Sequence, residues 1–224
     1  MQTLNLAQGS PEWLAHRRTS FNASDAPAMM GCSPYKTRSA LLHELHTGIS
    51  PEHDAATERR FADGHRFEAL ARPLAQDIVG EELYPVTGTT QVSGLSRQLS
   101  ASFDGLTLLA DMGFEHKSLN DELRAIQHVV GQQLPVQYRV QMEHQMLVSG
   151  ADKILFMASK WAGDELVEER HCWYASDPAL RAEILAGWKQ FDADLKEYVP
   201  PTAAAVEKIV AEPVEALPAP VVQV

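Results

Sequence analysis

The hydrophobic period of the chain changes at Leu83, and few folds accommodate such a change. Before it, apolar residues recur at three- and four-residue spacings, as in Phe61, Phe67, Leu70, Ala71 and Leu74, the pattern of amphipathic helices. After it come short apolar runs with Gly, Ser and Asp between them, which read as strands. Helices are expected over 10–18, in a segment after Asn22 that Gly31 closes, over 39–47 and over 55–79. Strands are expected over 83–92, 99–103, 107–110 and 113–118. Residues 135–149 return to a helical period, 153–159 and 166–174 read as strands, and 177–198 as a long closing helix. Helices, then a hairpin sheet, then helix–strand–strand–helix describe an α/β chain of the mixed α+β kind, with a central mixed β-sheet flanked by helices.

At 224 residues and 45% apolar content, one core can form without disulfide or metal support. Residues 1–199 are expected to form that single domain. Residues 200–224 hold five prolines and no aromatic residue, and read as a flexible tail. No apolar run approaches the ~18 residues of a membrane span and no leader pattern precedes Trp13, so a soluble protein with no membrane partner is expected. Cys32 and Cys172 lie 140 positions apart in unlike contexts, which fits a reducing, cytoplasmic compartment. A net charge of −11 argues, as a bulk property, against binding nucleic acid. Residues 1–72, however, balance eight basic against eight acidic side chains, so basic groups gathered on one concave surface could still hold a polyanion.

Residues 102–118, Ser-Phe-Asp-Gly-Leu-Thr-Leu-Leu-Ala-Asp-Met-Gly-Phe-Glu-His-Lys-Ser, carry the most chemical information. Asp104 ends one strand, and the next presents Glu115 and Lys117 on one face with His116 on the other. Two carboxylates and an ammonium suit phosphodiester hydrolysis. Asp104 and Glu115 can bind a hard divalent cation, and Lys117 can orient water and steady charge on the phosphate. The same spacing also suits a solvated surface hairpin. Against that, Phe103, Leu106, Leu108, Leu109 and Phe114 are expected to set the hairpin in the core, where ionisable groups are costly. Glu68 and Arg72 share a helix face, either as a simple ion pair or with Glu68 as a further metal ligand.

In order along the chain stand Gln8-Gly9-Ser10-Pro11-Glu12-Trp13 with Arg17, Asn22-Ala23-Ser24-Asp25, Gly31-Cys32-Ser33-Pro34-Tyr35 and the stretch 64–72. Ser102-Phe103-Asp104-Gly105-Leu106, Phe114-Glu115-His116-Lys117 and Tyr138-Arg139-Val140-Gln141-Met142 follow. On these seven motifs, from Gln8 to about Tyr198, the chain resembles the lambda-exonuclease or YqaJ-type family of phage recombination nucleases, within the PD-(D/E)xK nuclease superfamily.

The resemblance implies the PD-(D/E)xK nuclease fold and a Mg²⁺-dependent exodeoxyribonuclease. Such an enzyme digests one strand of linear double-stranded DNA from a 5′-phosphorylated end, releases 5′-mononucleotides and leaves 3′ overhangs. By position, Asp104, Glu115, Glu68 and the His116 backbone carbonyl resemble ligands for two Mg²⁺ ions, with Mn²⁺ able to substitute. Lys117 resembles the catalytic lysine, and Gln141 a glutamine behind the active site. Arg17 and Ser24 resemble the residues that hold the 5′ phosphate. The family usually repeats glutamine two positions later, where this chain has Glu143, a candidate for added charge near the metals. A ring-shaped homotrimer, a single-strand annealing partner and a bacterial host cytoplasm are also implied. An endonuclease with the same metal site and a silent DNA-binding subunit are the alternatives. Arg17 and Ser24 favour end recognition over the first, and the intact Asp104, Glu115 and Lys117 weigh against the second. His43 and His46 are spaced for a helix face and not for zinc. Cys172 lacks a second cysteine at ligand spacing. Trp13, Trp173 and Trp188 are expected in the core, and Arg59-Arg60 on a charged surface.

Overall fold

The computed structural model describes residues 1–50, 54–124 and 131–201. The tail expected over 200–224 lies outside these from residue 202 onward. In chain order the elements are β1 (Gln2–Leu4), α1 (Pro11–Arg18), β2 (Phe21–Asn22), a 3₁₀ turn (Ala23–Asp25), α2 (Ala26–Met29), α3 (Arg38–Thr47) and α4 (Ala55–Val79). There follow β3 (Tyr84–Thr90), β4 (Leu99–Leu106), β5 (Met112–Ser118), α5 (Asp121–Arg124), a 3₁₀ turn (Gly131–Gln133), α6 (Val136–Ser149), β6 (Lys153–Ala162), β7 (Glu165–Ala175) and α7 (Pro178–Glu197). No helix among the described residues is long and apolar enough to cross a membrane.

Local chemistry sets the helix ends. The Ser10, Thr37, Asp54 and Asp177 side chains accept N–H groups of the first turns of α1, α3, α4 and α7. Gly80 and Gly150 close α4 and α6 at φ +80° and +81°, where a side chain would be strained. The sheet runs β1-β3-β4-β5-β6-β7, with the two-residue β2 added to β4. β5 and β6 are parallel and joined through α6, whereas β3–β4, β4–β5 and β6–β7 are antiparallel, so the sheet is mixed as expected. β6 is buried on both faces: Leu155 and Met157 pack with Ala71 and Ala75 of α4, while Ile154, Phe156 and Ala158 pack with Met142 and Met146 of α6. Trp188 of α7 stacks on Phe21 at 4.6 Å, in the cluster that includes Phe103 and Leu106.

Three expectations need correction. Residues 107–110 form a turn, because Thr107 Oγ1 donates to Asp111 Oδ1 (2.6 Å) and the Ala110 N–H returns to the Thr107 carbonyl (2.9 Å). Leu108 and Leu109 at its tip are 83% and 81% exposed and take no part in the core. Trp13 and Trp173 are half-buried and not core, Trp13 donating to Ser102 Oγ at 2.9 Å and Trp173 carrying Lys153 Nζ 4.1 Å over its ring; Trp188 is buried as expected.

His144, fully buried on α6, accepts the Trp188 indole N–H at 3.0 Å. Burial lowers its pKa to about 3 against a partial opposing pull from Asp25. A histidine depressed in the folded state favours unfolding once it is protonated. Stability is therefore present above pH ~6.5 and falls as pH drops through ~6.5 towards 3, by up to about 1.4 kcal/mol per pH unit. Urea unfolding across this range should show that slope. His144→Asn, whose Oδ1 can take the indole N–H, should reduce the slope by about that amount and leave the part due to the buried His116, whose pKa is likewise lowered, to about 4; an unchanged slope would assign the acid sensitivity elsewhere.

Candidate active site

The site forms where β4 and β5 part. Their pairing covers only Gly105 with Phe114 and Leu106 with Gly113, after which β5 pairs with β6 alone. At the fork, the Asp104 carboxylate replaces a ladder acceptor, taking the His116 backbone N–H at 2.7 Å. The β3–β4 register also slips between the Tyr84–Leu106 and Val86–Phe103 pairs, so Asp104 lies within an irregular stretch of β4 rather than at a strand end.

Five of the expected residues, Asp104, Glu115, Lys117, Gln141 and Glu68, meet here. Glu115 is 2% exposed and bonded to Lys117 Nζ. Its Oε1 also accepts from Gln141 Nε2 at 2.6 Å, and its Oε2 from Gln145 Nε2 at 2.5 Å. Glu68 arrives from α4, paired with Arg72 at 2.6 Å, while Arg72 Nε donates to the Asp104 carbonyl at 2.7 Å. Arg72 therefore also fastens α4 to β4. His116 points away as expected, its Nε2 2.7 Å from Ser159 Oγ, and burial lowers its pKa to about 4.

The electrostatics are those of crowded anions. Burial, then Glu115 and Glu68, raise Asp104 well above the usual carboxylate range, against the pull of Lys117 and the His116 N–H. Burial likewise raises Glu68, with Glu115 adding to it and Arg72 opposing. Burial alone would lower Lys117, but Glu115 and Asp104 outweigh it and hold the ammonium form. Among the described residues no three Asp, Glu, His or Cys side chains stand together as a ready metal cage. The donor chemistry nevertheless fits a hard divalent cation, because three oxygen donors carry a repulsion that such a charge would offset.

Arg17 and Ser24 are brought together, Arg17 donating to Ser24 Oγ at 3.0 Å and to Asp25 Oδ2 at 3.3 Å. The guanidinium lies 4.8 Å over the Trp13 ring, and Trp13 is held by Ser102, two residues before Asp104. Glu143 is not at the fork. It faces the other side of α6, fully buried, and accepts from Tyr174 (2.9 Å), Ser176 (2.8 Å), the Asp177 N–H (2.9 Å) and Arg181 (2.6 Å). The second glutamine is Gln145, which the sequence reading missed; its spacing of four from Gln141, one helical turn, was the available signal. His43 bonds the Tyr198 hydroxyl (3.1 Å), and Arg59 and Arg60 are exposed.

A forked mixed sheet carries Asp104, Glu115 and Lys117, a helix supplies Glu68, and the fold is that of known nucleases. LHK-Exo, an alkaline exonuclease from Laribacter hongkongensis, shares this fold. Its structure in complex with dAMP matches with 24% identity and TM-score 0.66, and a second structure with 25% identity and TM-score 0.64, each covering 89% of this chain and 96% of that one. A phage-related exonuclease from Haemophilus somnus 129PT shares the fold at 13% identity and TM-score 0.53, covering 80% and 96%. No functionally curated sequence matches the chain significantly. The YqaJ-like viral recombinase domain matches residues 12–152, and the chain belongs to that family.

Proposed function

We infer that this nuclease is a Mg²⁺-dependent 5′-to-3′ exodeoxyribonuclease acting on linear double-stranded DNA. It releases 5′-mononucleotides and leaves 3′ overhangs for recombination by strand annealing. The observation that carries this reading is the meeting of Asp104, Glu115 and Lys117 at the fork, with Arg17 and Ser24 linked to the same strand through Trp13 and Ser102. The dAMP held by LHK-Exo is a mononucleotide of the class proposed as product.

Asp104, Glu115, Glu68 and the His116 carbonyl would hold two Mg²⁺ ions, or Mn²⁺ in their place. Bound there, the ions supply activation of water at neutral pH and offset the charge of the scissile phosphate. Gln141 and Gln145 hold the Glu115 carboxylate in one orientation. Lys117, an ammonium beside Glu115, is placed to donate to phosphate oxygens as negative charge grows. Arg17 grips the terminal 5′ phosphate through its planar fork, and Ser24 completes the contact.

Residues 1–199 act as the single nuclease domain, with 200–224 dispensable for digestion. A homotrimeric ring that turns the charge-balanced 1–72 segments inward would reconcile the acidic chain with DNA, and light scattering should find a trimer. The ring works in the host cytoplasm beside a single-strand annealing protein, which a pull-down with and without residues 200–224 would detect.

Linear and closed-circular duplexes incubated in Mg²⁺ and in EDTA test the activity. Loss of linear duplex alone, and only in Mg²⁺, is expected; cutting of the closed circle would indicate an endonuclease. Arg17→Ala should slow digestion of 5′-phosphorylated ends by roughly one to two orders of magnitude and leave 5′-hydroxyl ends nearly unchanged. Equal slowing of both would make Arg17 a general DNA contact.

A further inference from the structure

Tyr35 is 85% exposed, the most open aromatic ring among the described residues, yet its backbone is firmly held. The buried Ser33 Oγ accepts the Tyr35 N–H at 3.1 Å and the Lys36 N–H at 3.2 Å, fixing the turn after α2. Lys36 Nζ then bonds Glu44 at 2.5 Å and lies 3.6 Å from Asp25, which is itself paired with Arg17. One side of Tyr35 therefore leads through a chain of ion pairs to the Arg17 and Ser24 group. Tyr138, in the first turn of α6, interacts electrostatically with both the Tyr35 phenol and Lys117. An exposed ring on a rigid turn thus stands beside the expected phosphate grip, with Tyr138 as the electrostatic neighbour it shares with Lys117.

We propose that Tyr35 stacks on the terminal nucleobase of the strand being digested, holding its nucleotide between Arg17 and Lys117. This rests on the nuclease reading above and adds a base-binding residue to it. Stacking suits an enzyme that must accept every base in turn, since each base offers a π face whatever its hydrogen-bonding edge. Because the ring is hardly buried, its removal costs the fold little.

The test places the fluorescent base 2-aminopurine at the 5′ end of a duplex and reads its quenching by the full chain in a Lys117→Ala background, where cleavage is slow on the timescale of the reading. Quenching is expected on binding. Adding Tyr35→Ala should abolish it and weaken binding roughly 5- to 100-fold, whereas Tyr35→Phe should keep both. An end lacking its terminal base should bind equally well to the proteins with and without the Tyr35→Ala change. No quenching in the Lys117→Ala protein, undiminished quenching with Tyr35→Ala, or a Tyr35→Phe effect equal to Tyr35→Ala would each overturn the assignment. Quenching that depends on Tyr35 in a chain that shows no digestion with Lys117 intact would instead overturn the exonuclease reading and leave the stacking contact standing.

Discussion

Lys117→Ala should lower phosphodiester cleavage by about two to four orders of magnitude and leave the fold and divalent-cation affinity largely intact. Among the described residues the ammonium pairs with Glu115. Its loss leaves Glu115 held by Gln141 at 2.6 Å and Gln145 at 2.5 Å, so the carboxylate keeps its place. In the proposed role the ammonium would act in the chemistry, where charge develops on phosphate oxygens, and not in coordination. Single-turnover rates and calorimetric titration with Mg²⁺ separate the two effects. Glu115→Ala should show the opposite emphasis, with metal affinity falling together with rate. Equal metal affinity in both variants and in the parent would remove Glu115 from the ligand set.

Asp104→Asn should abolish cleavage and at the same time stabilise the metal-free protein. Asp104, Glu68 and Glu115 repel one another, and only part of that repulsion is met by Lys117 and Arg72. Asparagine removes one charge while its Oδ1 can still accept the His116 N–H that now bonds Asp104 at 2.7 Å. Each kcal/mol of relieved repulsion should raise the melting temperature in EDTA by about 2–4 °C for a domain of this size. Mg²⁺ should then raise the melting temperature of the parent and have little effect on the variant. A variant that melts lower in EDTA would mean that Asp104 serves the fold and not a cation.

Much of this site was legible because its parts are local. The limits of α4 follow from its apolar spacing and caps, and the strand alternation that sets Glu115 and Lys117 apart from His116 holds in β5. The fork was not legible. A hairpin motif predicts continued pairing of β4 with β5, whereas β5 leaves for β6, a partner some forty residues on. Leu108 and Leu109 misled for a related reason: their apolar alternation reads as strand, but Thr107 and Asp111 close a turn that exposes both. Glu143 looked like a changed metal-site residue because it lies two positions from Gln141. On a helix, two positions is more than half a turn away, and four positions, at Gln145, returns to the same face. Trp13 carries the same lesson: its indole N–H needed Ser102, 89 positions distant, which no local pattern records.

The central claim is that the Asp104–Glu115–Lys117 fork removes nucleotides one at a time from a 5′ end. A linear duplex carrying a label at the 5′ end of one strand, and in a parallel sample at the 3′ end, measures this directly. In Mg²⁺ the 5′ label should appear as a mononucleotide from the earliest times while the 3′ label stays on long strands, and EDTA should stop release of the 5′ label. Early release of the 3′ label, internal fragments, or equal digestion in EDTA would contradict the account.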